Sequence, residues 1–338
     1  MQPTIAMCAR QRGLTLNLSA EKMPSGQGAK MDIKRGNHYI WAHYLRGWSH
    51  NQRDVFHRTK KGNIQAVSTK GLGREYEFYK LTPLDNVDVE FLERWISKCD
   101  PGIKNFHYGF LRRMIVYSCL LAVLDPVKDK EKRDDITFNT IEELHTTIEN
   151  DVRPTLDALR NGNFLALEEE NALNNLISYM GHQFSRTKVF RNIIDSSARS
   201  GNQTINELMI KNNWFLAILV GVNMGYSTAM CYETKNVVWL INNTDTRFIT
   251  SDNPVINVHP EVLNRKPNGI PPSHTDLYFP ISPTLGYMVN DSDYWGKGKV
   301  EATNEMVVAL NRQMLIRCDE TVYGDSMEII KQTKLPKA

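Results

Sequence analysis

The chain has 338 residues, of which 41% are hydrophobic and 23% are charged. That composition is typical of a folded globular protein and excludes a mostly disordered chain. The 41 basic and 38 acidic residues leave a net charge of +3, which neither demands nor excludes nucleic acid as a partner.

Three features predict a cytoplasmic protein that does not cross a membrane. The longest apolar stretch, at 214–222, is much shorter than the roughly 20 residues of a membrane-spanning helix. The five cysteines are scattered and include no C-x-x-C pair, unlike a secreted disulfide scaffold or a structural zinc site. Residues 1–30 lack the apolar core of a signal peptide, and we expect them to form a flexible extension.

Residues 31–80 are predicted to be rich in β-strand. The aromatic segment 38–49 has the composition of a strand. Residues 54–59 and 64–68 are separated by a glycine-containing turn signal, which predicts a β-hairpin.

Residues 87–233 change to a helical period. The predicted helices are 87–98, 106–124, 140–161, 167–191 and 203–233, the last with interruptions. The mixed-charge run at 128–135 is predicted to be a solvent-exposed loop, since mixed charge cannot form a core.

Residues 236–326 are predicted to be β-rich with a final helix at 301–317, and 327–338 to be a flexible tail. Strands on both sides of a helical region favour a single α+β domain over 31–326. We expect a central all-helical body, with β segments from the N-terminal and C-terminal parts packed as a small mixed or antiparallel sheet. The strand–helix alternation of a doubly wound parallel sheet is absent.

Common catalytic motifs are also absent from the sequence. There is no phosphate-binding loop, dinucleotide-binding glycine motif, H-E-x-x-H motif or nucleophile elbow. Function must therefore be sought in single polar residues.

Three such residues lie on two of the predicted helices. At 100° per residue, Glu149 falls at the rim of the apolar stripe of helix 140–161. Gln183 and Arg186 take similar positions on helix 167–191, whereas His182 points away from the stripe. Partly buried charges must be paired or functional, so these three residues are candidates for a site.

Two further candidates lie in the segment Thr-Ser-Asp-Asn-Pro-Val at 250–255, where a predicted strand ends. Pro254 pushes Asn253 into an extended conformation. One interpretation is an Asx-type turn that satisfies its own backbone. The other places Asp252 in a cleft, as a metal ligand or general base.

Several of these segments occur in the same order in one known family. They are Asn37-His38-Tyr39, Tyr44-Leu45-Arg46 with Trp48, residues 75–79, the helix with Glu149, residues 182–186, residues 248–255 and residues 278–283. Over about residues 34–324 the chain resembles the bacterial family known as domain of unknown function 4238. Trp41 stands where that family usually has a proline.

The resemblance implies no settled biochemical function. Members resemble accessory genes of mobile and defence loci, which favours nucleic acid as the target. The polar positions that recur in the family are His38, Glu149, Gln183, Arg186, Asp252, Asn253 and, on the last helix, Asn311.

In the enzyme hypothesis, these side chains converge on one cleft. Glu149 and Asp252 hold Mg²⁺ or Mn²⁺, His38 is the general acid or base, and Arg186 neutralises phosphate charge. The amide side chains of the set orient water or substrate. This hypothesis predicts a metal-dependent nuclease that cleaves RNA or DNA, with a role in antiviral defence.

In the alternative hypothesis, the protein is a non-catalytic binding or regulatory module and the polar cluster is structural. Glu149 pairs with Arg186, and His38 bridges to Asp252, so that the network fixes the terminal β segments on the helical body. The surface then binds nucleic acid or a protein encoded nearby. Nucleotide or NAD-derived group transfer is a third alternative.

Overall fold

The computed structural model describes residues 32–59, 62–197, 202–263 and 272–333. Within these residues, ten α-helices and eleven β-strands form the α+β fold that the sequence predicts. The predicted extension at 1–30 and the end of the predicted tail, 334–338, lie outside them.

The helices of the described residues vary from one turn to more than eight turns. They are α1 (Ala42–Leu45), α2 (Asn86–Ser97), α3 (Pro101–Val123), α4 (Lys130–Arg160), α5 (Ala172–Ser185), α6 (Lys188–Ser197), α7 (Gln203–Lys211), α8 (Asn213–Met230), α9 (Asn304–Arg317) and α10 (Met327–Gln332). In the part of the chain that is described, no helix has the length and apolar character needed to cross a lipid bilayer.

The strands lie on both sides of the helical region in sequence. They are β1 (Gly36–His38), β2 (Asp54–Arg58), β3 (Ile64–Ser68), β4 (Arg74–Tyr76), β5 (Asn236–Ile241), β6 (Thr250–Ser251), β7 (Ile256–Asn257), β8 (Asp276–Ser282), β9 (Leu285–Asn290), β10 (Gly298–Glu301) and β11 (Val322–Gly324).

These strands form three small sheets. Strands β1 and β4 make an antiparallel pair, and β10-β5-β9-β8-β7 form a mixed sheet in which β10 runs parallel to β5. The third sheet has the order β3-β2-β11-β6 and is antiparallel. It joins the predicted N-terminal hairpin to two C-terminal strands, which confirms that β segments from both parts of the chain pair together.

The five-stranded sheet is buried on both faces. Along β8, Phe279 and Ile281 pack in the hydrophobic core of the helical body, whereas Tyr278 belongs to a second core with α9 and α10. Strand β9 alternates in the same way, with Tyr287 and Met288 in different cores. Because successive strand residues point to opposite faces, this sheet joins the two cores.

In the helical body, α5 and α8 make backbone contact through three glycines. A Cβ atom on Gly181 would lie 2.6 Å from both the Gly221 carbonyl oxygen and the Gly225 nitrogen. No larger residue fits there, so the glycines fix the position of α5.

The predicted strand at 38–49 is wrong beyond its first residue. Strand β1 ends at His38, and the chain then forms α1 followed by a 3-10 turn at Arg46–Trp48. The aromatic residues that suggested a strand instead pack on one side of this helical segment, where Tyr44 and Trp48 are buried.

The predicted loop at 128–135 is also wrong, because α4 begins at Lys130. Its charged residues find partners within and beyond the helix. Lys130 lies 3.0 Å from Asp134 one turn later, and Arg35 lies 3.1 Å from the same carboxylate. Such pairs four residues apart stabilise a polar helix.

The C-terminal part of the chain differs from the prediction in two places. Strand β10 takes up the predicted start of the last helix, and α9 begins after Thr303, whose hydroxyl caps it. The predicted flexible tail at 327–338 is wrong for 327–332, which form α10 with Ile329 and Ile330 buried.

Candidate functional site

Arg186 lies at the centre of a buried polar cluster at the end of α5. Its guanidinium donates to the Glu149 carboxylate at 2.6 Å and to the carbonyl oxygens of His38 at 3.2 Å and Tyr39 at 3.3 Å. Gln183, one turn earlier, donates to the same Tyr39 carbonyl at 2.9 Å. Gln183 on α5, Arg186 directly after α5 and Glu149 on α4 therefore meet at the opening segment of the fold.

Further residues extend this contact, and we call the whole set the Arg186 cluster. Its members are Asn37, Tyr79, Glu142, His145, Glu149, His182, Gln183 and Arg186. Asn37 donates to Glu142 at 3.1 Å, and the Tyr79 hydroxyl donates to the Arg186 carbonyl at 3.2 Å. Glu142 and Glu149 are seven residues apart, so they share one face of α4.

A break in the helix places Arg186. A continuous helix was predicted over 167–191, but α5 ends at Ser185 and α6 begins at Lys188. The Thr187 hydroxyl accepts the backbone N–H of Phe190 at 3.3 Å, which caps the new helix.

The cluster carries charge in a buried environment. Burial is the largest effect and disfavours the charged guanidinium, but the Glu149 carboxylate together with Tyr79 and Tyr179 raises the pKa of Arg186 overall. Burial raises the pKa of Glu149, and the positive charge of Arg186 opposes that rise. Burial likewise raises the pKa of Glu142. Removing either member of the pair would leave an unpaired charge in the interior.

Two buried histidines of α4 and α5 face each other beside this ion pair. His145 Nδ1 and His182 Nε2 are 2.5 Å apart, and the other ring nitrogen of each has no hydrogen-bond partner among the described residues. Burial lowers the pKa of both histidines well below the usual value, and Arg186 acts in the same direction. Both rings are therefore neutral at neutral pH.

Asp252 belongs to a second polar network, which we call the Asp252 turn. Its carboxylate accepts the backbone N–H groups of Asp319 at 2.8 Å, Glu320 at 2.6 Å and Thr321 at 3.0 Å. Burial raises the pKa of Asp252 to about 6, against the opposing effect of these three donors. The carboxylate thereby ties the end of β6 to the loop before β11.

Two asparagines of the candidate set also bind backbone groups near this turn. Asn253 donates to the carbonyl of Arg317, the last residue of α9, at 2.9 Å. Asn311 accepts the Ile249 N–H at 3.0 Å and donates to the Arg247 carbonyl at 2.8 Å. Both side chains thus attach α9 to the segment at 247–253, which contains β6.

The two networks are neighbours but do not merge. His38 contributes its carbonyl to the Arg186 cluster, while its ring binds the Lys70 carbonyl at 3.0 Å. Among the described residues, no hydrogen bond joins His38 to Asp252. After burial, the charge of Asp252 is the next cause that raises the pKa of Tyr39, so Tyr39 lies between the networks.

No set of three or more His, Cys, Asp or Glu side chains in the described ranges is arranged so that it could hold a metal ion. The two carboxylates predicted as metal ligands have other partners. Glu149 pairs with Arg186, and Asp252 accepts three backbone N–H groups.

The expectation that His182 points away from the buried face is wrong, since His182 is 2% exposed. Helix α5 packs against α8 on one side and α4 on the other, so its second face is buried too. Glu142 and His145 were also missed. Their spacing from Glu149, seven and four residues, is the helical signal that places them on the same face.

Trp41, where the resemblance places a proline, has a backbone conformation that proline can adopt. It precedes α1 with φ −62° and ψ 127°, and proline fixes φ near −65°. The local turn is therefore compatible with either residue.

A cavity of about 240 Å³ lies next to the Arg186 cluster. Tyr79 and Arg186 belong to both, and Thr187, Arg191, Lys211 and Trp214 are among the other lining residues.

The chain belongs to the family described as "Protein of unknown function (DUF4238)", whose model matches residues 37–328. No curated protein and no solved structure matches the chain.

Proposed function

We propose that this protein is a binding or regulatory module in which the Arg186 cluster and the Asp252 turn are structural. The observation that carries the proposal is the set of contacts of Arg186. Its donors reach one carboxylate and the carbonyl oxygens of His38 and Tyr39, so the side chain holds the opening segment against the helices.

The Asp252 turn supports the same proposal. A carboxylate that accepts three backbone N–H groups satisfies a loop that would otherwise have buried, unpaired donors. Both networks connect segments far apart in sequence, as expected of polar groups that specify a unique packing. The partner, nucleic acid or a protein encoded nearby, would then be bound by the remaining surface.

Substitutions that remove charge but keep shape test this proposal. Glu149→Gln and Asp252→Asn are compared with wild type by urea unfolding and by cleavage of total RNA and plasmid DNA with Mg²⁺ or Mn²⁺. Glu93→Gln on the exposed face of α2 is the matched control. We expect Glu149→Gln and Asp252→Asn to lose stability, and Glu93→Gln to be as stable as wild type. We expect none of the proteins to cleave nucleic acid.

The opposite pattern would overturn the proposal. If wild type cleaves nucleic acid, and Glu149→Gln or Asp252→Asn abolishes cleavage while stability is retained or increased, the residue is catalytic. Catalytic carboxylates are often in strained or unfavourable environments, so their removal can stabilise a protein.

Metal-dependent cleavage of RNA or DNA in antiviral defence is the second candidate function. It is supported by the position of Arg186, which borders both the Glu149 carboxylate and a cavity with several cations. Mg²⁺ or Mn²⁺ at Glu149 and Asp252, with His38 as acid or base, would require Asp252 to release its backbone donors. Cleavage by wild type that stops when EDTA removes the metal would favour this candidate.

A further inference from the structure

The cavity beside the Arg186 cluster lies where four helices meet. Helix α5 ends and α6 begins at one wall, while α7 ends and α8 begins at another. A turn at 77–82 forms a third wall. Two helices end and two begin here, so their dipoles offset one another. The net charge of the cavity therefore depends on its side chains.

Side chains make the cavity electropositive. Four lining residues are cations and one, Glu77, is an acid. Arg186 and Lys211 have carboxylate partners outside the lining, and Lys80 is 3.6 Å from Glu77. Arg191 is exposed and makes no ion pair with any described residue, so its charge is available to a ligand.

Other lining residues supply donors and an apolar wall. The buried Arg186 Nη1 and Trp214 Nε1 have no hydrogen-bond partner among the described residues, although buried donors are normally paired. Phe78 packs under the Arg191 guanidinium, 5.1 Å from the ring centre, and Ala217 leaves space between the walls.

We infer that this cavity binds a small organic phosphate. Arginine suits the planar, paired hydrogen bonding of phosphate oxygens, and the aromatic wall suits an organic group attached to the phosphate. The inference goes beyond the proposed function, since it adds a small-molecule ligand to the macromolecular partner proposed there.

The first experiment compares phosphates with their dephosphorylated counterparts. Isothermal titration of the full chain uses AMP, glucose 6-phosphate, glycerol 3-phosphate and inorganic phosphate, against adenosine, glucose and glycerol. We expect at least one organic phosphate to bind with Kd below about 1 mM, and its dephosphorylated counterpart to bind at least about tenfold more weakly. Binding of none of the phosphates, or equal binding of a counterpart, would overturn the inference.

Variants locate the site. Arg191→Gln should weaken binding about tenfold without changing stability, and Ala217→Leu should block binding by filling the cavity. Arg113→Gln, on the exposed face of α3, is the control and should bind as wild type. If phosphate binds and both cavity variants bind normally, the cavity is not the site.

The two proposals fail in different ways. If no phosphate binds, the structural role of Arg186 is not affected, because that role is tested by urea unfolding. Conversely, cleavage that depends on Glu149 would overturn the non-catalytic assignment, whether or not Arg191 binds phosphate.

Discussion

The Arg186 cluster and the Asp252 turn are both buried, but they neutralise charge differently. In the cluster, a carboxylate meets a guanidinium whose other donors hold backbone carbonyls. In the turn, no cation of the described residues contacts the Asp252 carboxylate, which binds three backbone N–H groups. The cluster joins helices to the opening segment, whereas the turn joins strands of one sheet.

The two networks also differ in whether a ligand can reach them. The Asp252 carboxylate is occupied by backbone N–H groups of the loop at 319–321. The cluster borders the cavity at Arg186, and one donor of that side chain has no partner among the described residues. A ligand could therefore reach the cluster through the cavity.

The largest expected effect is from Arg186→Gln. It removes the partner of Glu149 and the donors to His38 and Tyr39, so the free energy of unfolding should fall by about 3–5 kcal/mol. Urea unfolding measures the loss, with the exposed Arg153→Gln as control. The double variant Arg186→Gln with Glu149→Gln should recover part of it, and a loss below about 1 kcal/mol would contradict the structural role.

Asp252→Asn should have the next largest effect. The amide has one acceptor oxygen, and its NH₂ group would face backbone donors, so we expect a loss of about 2 kcal/mol. Because the folded pKa of Asp252 is raised to about 6, this carboxyl stabilises the folded state as the pH falls through that value, and the variant should lose more stability on acidification than wild type. An unchanged urea midpoint would show that the three N–H contacts to Asp252 do not stabilise the fold.

Acidification should affect the two regions differently, because the buried histidines of the Arg186 cluster and the Asp252 carboxyl act in opposite directions. The raised pKa values of Glu142 and Glu149 offset part of the histidine effect. The folded pKa values of His145 and His182 are below their unfolded values, so only the unfolded chain takes up these protons below about pH 6.5. Stability falls there by about 1 kcal/mol per histidine at about pH 5.5. The folded pKa of Asp252 is above its unfolded value, so this group contributes about 1 kcal/mol in the stabilising direction.

Hydrogen exchange at about pH 7.5 and about pH 5.5, corrected for intrinsic rates, measures this contrast by region. Protection should fall more in α4 and α5 than in β6 and β11. His145→Gln should reduce the loss in the helices, while His50→Gln, at an exposed position, should not. Equal loss in both regions would contradict the assignment of the protonation states.

The smallest expected effect is at the connection between the two regions. Lys188 lies 2.7 Å from Glu75, 4.0 Å from Glu320 and 5.1 Å from the centre of the Tyr39 ring. These contacts are partly exposed, so Lys188→Met should reduce the free energy of unfolding by less than about 1 kcal/mol. A larger loss in urea unfolding would show that the regions are strongly coupled.

Periodicity in the sequence predicted much of the helical body, but it did not predict which helix faces pack against other elements. The apolar stripes predicted that Glu149, Gln183 and Arg186 lie at buried rims, and these residues do meet. His182 was excluded because a stripe identifies one buried face, while α5 packs on two. The start of α4 was missed because its charged residues are stabilised by pairing, which composition alone does not reveal.

The role of Asp252 could not be predicted locally. Its side chain binds N–H groups at 319–321, more than sixty residues later, and no pattern near 252 indicates that loop. The sequence left a self-satisfied turn and a metal ligand open. Part of the turn satisfies itself, since the Ser251 hydroxyl accepts the Asn253 N–H at 3.0 Å, whereas the Asp252 carboxylate satisfies a distant part of the backbone.

The glycine contact between α5 and α8 has a consequence for ligand recognition. With backbone against backbone at Gly181, neither helix can slide or roll without a collision. Because α5 ends and α8 begins at the cavity, its two walls are preorganised and move as one body. An incoming molecule would therefore lose little affinity to reshaping the protein, and discrimination among molecules would depend on the side chains at the entrance.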